Sequence, residues 1–319
     1  MSGHEPRIET VAAGAAGAGL STGTGPVDRR GVMAAERPFS LTRTRRTFMH
    51  NRLAVVGTGI IVFLILFCFV GPLVYRTDQV SVNLSTAHLA PFTSGHPLGT
   101  DQVGRDVLGR LMVGGQTSLE VGVAAAALAT LLGTLVGAVA GFFGGVVDSL
   151  LMRIVDGFMA VPGLFVVLLL GSMFTPTKGL LILVIAALSW LITARLVRGD
   201  TLSLRTREYV EAVRLSGGSG WRAVWRHIIP NAIGTIVVSG TFQVADAILL
   251  LASLDFLGLG IPPPAASWGQ MLSSGVDYVY DGYLWLVIPP GVAIVLVVLA
   301  FNFLGDGLRD ALDVRLREP

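Results

Sequence analysis

Apolar positions along this chain come in long unbroken blocks, not in alternation. Six stretches, 53–75, 119–143, 158–175, 180–197, 232–254 and 283–304, are 18 to 25 residues long and almost free of charge. A helix rising 1.5 Å per residue crosses the ~30 Å hydrocarbon core of a bilayer in about 20 apolar residues. The pattern therefore predicts an all-α polytopic membrane protein with six transmembrane helices. The third and fourth stretches are short. The turn signal Thr175-Pro176-Thr177-Lys178-Gly179 between them predicts a hairpin of two spans. In the second, Gly133, Gly137 and Gly141 recur every four residues. Small residues at that interval let helix backbones approach closely, within one bundle or against a second subunit.

Composition supports this reading. Apolar residues make up 52% of the 319, charged residues only 14%, and the mean hydropathy is +0.70; soluble domains average about 25% charged residues. The net charge of +2 gives no ground for a nucleic-acid partner, and none is expected. Charge location is more telling. With the amino terminus inside, 19 of the 23 basic residues fall in cytoplasmic segments, and Arg76, Arg105, Arg110 and Lys178 fall outside. The positive-inside rule thus predicts that both termini are cytoplasmic in a multi-pass protein of the inner membrane. Residues 1–38, rich in Ala, Gly, Ser and Thr, read as a disordered cytoplasmic tail. Residues 39–52, with Arg43, Arg45, Arg46 and Arg52, read as a basic lead-in at the lipid surface, and 53–319 as the membrane domain. The single cysteine, Cys68, lies in an apolar run and excludes an intramolecular disulfide.

One cytoplasmic loop, 198–230, is too elaborate for a plain connection. Glu208 and Glu211 lie in the first turns of a helix, where the helix dipole favours negative charge. Glu211 and Arg214 are spaced to pair. Gly217-Gly218-Ser219-Gly220 then breaks that helix. A second short helix follows, with Trp221 and Trp225 on one face and Arg222 and Arg226 beside them. Pro230 closes the loop where a missing N–H costs least. The residues fit either a module that docks into a partner and transmits its motion, or an interfacial helix resting on lipid headgroups.

The pattern Glu211-Ala212-Val213, Gly217, then His227-Ile228-Ile229-Pro230 resembles the EAA loop of membrane permeases in binding-protein-dependent ABC importers. Val213 stands in for the usual alanine and Ile229 for the usual leucine. Residues 96–119 (HPLGTDQVGRDVLGRLMVGGQTSL), 252–272 and 301–317 are similar to the dipeptide/oligopeptide/nickel branch, second permease type. Two positions depart from that branch: Leu251 replaces a common glutamate, and Asp255 a common serine.

The resemblance implies a type I ABC importer permease fold with no covalent chemistry and no catalytic residues of its own. It implies a second homologous permease, two ATPase subunits carrying ATP and Mg, an extracytoplasmic solute-binding protein, and a peptide or related small solute as cargo. It also implies ATPase coupling through Glu211, Ala212, Val213, Ser216, Gly217, Gly218, Trp221 and Pro230. Leu98, Gly99, Asp101, Arg105 and Asp106, in the first outer loop, are candidates for contact with the binding protein.

Few polar groups interrupt the spans. Gln243 and Asp246, three residues apart in the fifth, predict either a lining of the translocation pathway or a hydrogen-bond pair between subunits. Glu120 reads as hydrated at the outer surface, and Arg153 with Asp156 as a local pair. The five histidines show no metal-ligand spacing, so no metal site is expected, and no GxxxxGK[ST] motif is present. No cofactor is therefore expected on this chain. The competing class is a stand-alone secondary transporter with Asp246 as proton relay, which inverted repeats would favour.

Overall fold

The computed structural model describes residues 48–93 and 95–313. The expected tail at 1–38 and most of the basic lead-in at 39–52 lie outside the described residues. Among the described residues the fold is helical, with isolated bridges at Thr93–His96 and Thr100–Asp106 as the extended pairing.

Helix α1 (Arg52–Val74) starts at Asn51, whose side chain accepts from the Leu53 and Ala54 amides. Helix α2 (Val107–Phe143) runs 37 residues, about 55 Å at 1.5 Å per residue, so its first turns project beyond the hydrocarbon core. It ends at Gly144 and Gly145, both at positive φ, which turn the chain into α3 (Gly145–Ala160). Then follow α4 (Gly163–Met173), α5 (Lys178–Leu204), α6 (Glu208–Leu215) and α7 (Gly220–Ala223). The last continues through a π turn at Val224–Ile228 into Ile229–Asn231. Helices α8 (Ile233–Phe256), α9 (Trp268–Val276) and α10 (Ile288–Asp313) complete the chain.

Five helical stretches are long and apolar enough to cross a membrane: Arg52–Val74, Val107–Phe143, Lys178–Leu204, Ile233–Phe256 and Leu284–Leu312. They match five of the six predicted spans. The remaining one, 158–175, is broken. Val161 is extended ahead of Pro162, because a residue before proline is pushed out of the helical region. The helix restarts as α4, whose 11 residues reach about 16 Å.

The glycine ladder of α2 faces α5 within this chain. A Cβ on Gly133 would lie 2.6 Å from the Trp190 carbonyl, and one on Gly141 2.6 Å from Thr201 Cβ. These glycines let the two backbones meet. On the other flank of α2, Gly122 faces Ile248 of α8. Helix α1 packs on α10, where Gly57 leaves room for the Ala300 carbonyl and Phe303.

One large cluster of the core gathers around Trp268 of α9, which is fully buried. Its indole Nε1–H donates to the Leu111 carbonyl at 2.8 Å and its amide to Ser118 Oγ at 3.1 Å. Gly115 of α2 makes that approach possible, since a Cβ there would stand 2.6 Å from the indole ring.

Ion pairs differ from the expected ones. Asp156 pairs with Arg195 of α5, not with Arg153. Asp148 of α3 pairs with Arg198, whose guanidinium hydrogen bond holds that carboxyl below its usual range. Both pairs tie α3 to α5. Glu120, expected to be merely hydrated, accepts from Lys178 Nζ at 2.8 Å and so links α2 to the start of α5.

Candidate functional site

The loop between α5 and α8 folds as a helix, a glycine turn and a second helix. Its foundation is apolar. Val210 of α6 is 0% exposed and packs with Ala223, Val224 and Ile228 onto Ala138 and Phe142 of α2 and Val197 of α5. Helical spacing then sends Glu208, Glu211, Ala212 and Leu215 to the opposite face, and all four are exposed, Leu215 by 89%. The side chain of Arg214 is not among those described, so its expected pairing with Glu211 lies outside the described structure.

The expected break is present. Gly217 adopts φ +75°, and the Gly218 amide donates back to the Val213 carbonyl at 2.9 Å. This is the six-to-one bond of a Schellman motif, with glycine at the left-handed position. Ser216 adds a bond from Oγ to the Ala212 carbonyl at 2.8 Å. A Cβ on Gly218 would stand 2.7 Å from Val213 Cγ1, so both glycines have a steric reason to be there.

Ser219 caps α7, its Oγ accepting from the Arg222 amide at 3.3 Å. Trp221 lays its ring edge against Phe143, the last residue of α2, centroids 5.8 Å apart, yet stays half exposed, as does Trp225 four residues on. The π turn precedes Pro230, which cannot donate to the carbonyl four residues back; the wider turn accommodates it. The loop thus presents one exposed helix face and a glycine turn, seated on the ends of α2 and α5 and the start of α8.

Gln243 and Asp246 do not share an environment. Gln243 is buried, its amide donating to the Ser189 carbonyl at 2.9 Å and Thr193 Oγ1 at 2.6 Å, and its Oε1 accepting from Thr130 at 3.1 Å. Every bond stays within this chain and ties α8 to α2 and α5. Both amide donors of Gln243 are thus spent on partners within this chain. Asp246 is exposed, between the buried Ala245 and Ala247.

The first outer loop is also more architectural than expected. Asp106 is buried and caps α2, its Oδ1 accepting from the Gly109 amide at 2.7 Å. Its Oδ2 accepts from Tyr75 Oη at 3.1 Å and pairs with His96 Nδ1 at 2.8 Å. Burial and the Asp106 carboxylate push the Tyr75 hydroxyl up to about 12. Gly99, at φ +76°, and Asp101 are buried, and Leu98 packs against the outer core. Gly99, Asp101 and Asp106 thus brace the loop from within, while Arg105 is partly exposed.

Of the two departures from the family pattern, Leu251 is buried in an apolar cluster with Val121, Ile185 and Leu254, so no charge stands there. Asp255 is buried and accepts from Ser267 Oγ at 2.6 Å, fastening the start of α9 to the end of α8.

Residues 133–318 match the family described as "Binding-protein-dependent transport system inner membrane component", and residues 40–91 match "N-terminal TM domain of oligopeptide transport permease C". Among curated proteins, the oligopeptide transport system permease protein OppC of Escherichia coli K12 is 44% identical over 86% of this chain and 90% of its own length. OppC of Bacillus subtilis is 43% identical over 85% of this chain and 88% of its own length. The dipeptide transport system permease protein DppC of Bacillus subtilis is 39% identical over 89% of each.

The chain belongs to the family of binding-protein-dependent transport system inner membrane components. It is a multi-pass permease subunit of an ABC importer, a transport subunit, and the stand-alone secondary transporter finds no support.

Proposed function

We propose that this permease forms half of the membrane pathway of an importer for dipeptides or oligopeptides. The cargo class rests on the names of relatives that align along nearly their whole length, OppC and DppC. Both termini and the loop at 198–230 are cytoplasmic in this reading, and the loop at 76–106 faces outward, in keeping with the basic residues. A second homologous permease, two ATPase subunits that hold ATP and Mg, and a solute-binding protein complete the complex.

The observation that carries the coupling role is the exposed face of α6. Glu208, Glu211, Ala212 and Leu215 are open while Val210 beneath them is sealed into the membrane domain. An exposed leucine beside two carboxylates, held on a rigid base, suits a groove on a soluble ATPase. With α7 resting on Phe143 and leading directly into α8, a displacement of α6 passes to two spans at once. Asp246, exposed midway along α8, is the polar residue proposed to face the pathway or the second permease.

The test is uptake of a labelled di- or oligopeptide by cells that lack this chain, with and without the gene restored. Uptake that returns with the gene supports the cargo assignment. Equal peptide uptake in both strains would contradict it.

A further inference from the structure

A cleft between the loop around 99–106 and α9 is lined by Asp101, Arg105, Arg110 and Ser274 among its polar residues. Its charge does not balance. Asp101 is 8% exposed and its carboxylate is already engaged: Oδ1 accepts from the Val103 and Arg105 amides at 3.0 and 2.8 Å, and Oδ2 from Arg105 Nε at 3.0 Å. Arg110 is 5% exposed. Its Nη1 donates to the Gln79 carbonyl at 3.2 Å, but its Nε stands 3.9 Å from Asp101 Oδ2, beyond hydrogen-bond reach. Arg105 spends Nε on Asp101, and its terminal nitrogens meet no acceptor among the described residues.

Two guanidinium groups therefore share one carboxylate that is already committed. Asp277 and Asp281, in the exposed turn after α9, do not line the cleft. The remaining guanidinium donors open onto the cleft, and the planar fork of an arginine matches a carboxylate.

The surroundings indicate which carboxylate. Arg110 lies nine residues before Leu119, about 13 Å along α2, so the cleft stands clear of the second apolar run. In the importer reading the loop at 76–106 faces outward, the side from which the solute-binding protein arrives.

We propose that this cleft receives an acidic side chain of the solute-binding protein, held by Arg105 and Arg110. The proposal rests on the importer reading above. It gives the first outer loop a more specific role: Asp101 positions the arginines, and the arginines make the contact.

The test uses the whole complex in nanodiscs of neutral phosphatidylcholine, with the purified solute-binding protein as probe. Removing one partner of a desolvated charge pair weakens binding by about 30-fold or more, so Arg110→Gln should raise Kd by that order and flatten its salt dependence. Arg110→Lys should recover part of the loss. Amidating the carboxyl groups of the binding protein should weaken its binding to the unaltered permease by the same order, a readout independent of how any variant folds.

Unchanged affinity in both arms would overturn the cleft's role and leave the importer reading intact. Loss on amidation alone would put the contact elsewhere and overturn it equally. A loss seen only in nanodiscs containing phosphatidylglycerol would assign the cleft to a lipid headgroup. No association of the binding protein with the unaltered complex would instead overturn the importer reading.

Discussion

Three hydrogen bonds converge on Gln243, one on each side of its amide nitrogen and one on its oxygen, and they join three membrane helices. Interhelical hydrogen bonds within membranes average about 0.6 kcal/mol each, so the cluster contributes roughly 1–2 kcal/mol. Gln243→Leu should therefore lower the thermal unfolding midpoint of the purified permease; an unchanged midpoint would show that the amide bonds add nothing net. The sequence revealed that Gln243 and Asp246 are polar and three residues apart, but not that a packing boundary runs between them. Residues three apart stand only about 60° from one another around a helix, so the boundary of the packed face falls within that narrow arc. The partners of Asp156 and Glu120 were hidden for a related reason. Both pair with residues of α5 that are distant in the sequence, and only the packing of α2 and α3 on α5 brings them together.

At the scale of elements, hydropathy made five long helices legible because each is an unbroken apolar run with polar ends. It hid the break at Pro162, since the residues on both sides are apolar and a window average passes over one proline. The turn after α6 was readable because glycine chemistry is local: only a residue tolerant of positive φ suits position 217. Proline is fixed near φ −65° and cannot adopt that geometry. Gly217→Pro should thus displace α6 and uncouple peptide uptake from ATP hydrolysis in proteoliposomes, while Gly217→Asn, which tolerates the left-handed region, should keep most of the coupling. Normal coupled uptake in the proline variant would remove the turn from the mechanism. The outer loop was the less legible element. Its motif was visible, but nothing in the spacing told that Asp101 and Asp106 turn inward to cap and brace while Arg105 and Arg110 are left short of acceptors.

On the scale of the whole molecule, the loop at 198–230 packs on the last turns of α2, the charged cleft borders its first, and the Gly133, Gly137 and Gly141 ladder lets α2 and α5 meet between them. The proposed ATPase and solute-binding protein would thus engage opposite ends of one helix pair. The coupling proposal places an ATPase on the exposed face of α6. Co-purification of P-loop ATPase subunits with the tagged chain from native membranes in mild detergent checks this, for the unaltered protein and for Glu211→Lys. The expected result is near-stoichiometric ATPase with the former and a loss of about tenfold or more with the latter, as for reversing a charge inside a docked surface. Equal recovery of ATPase with both forms would contradict it.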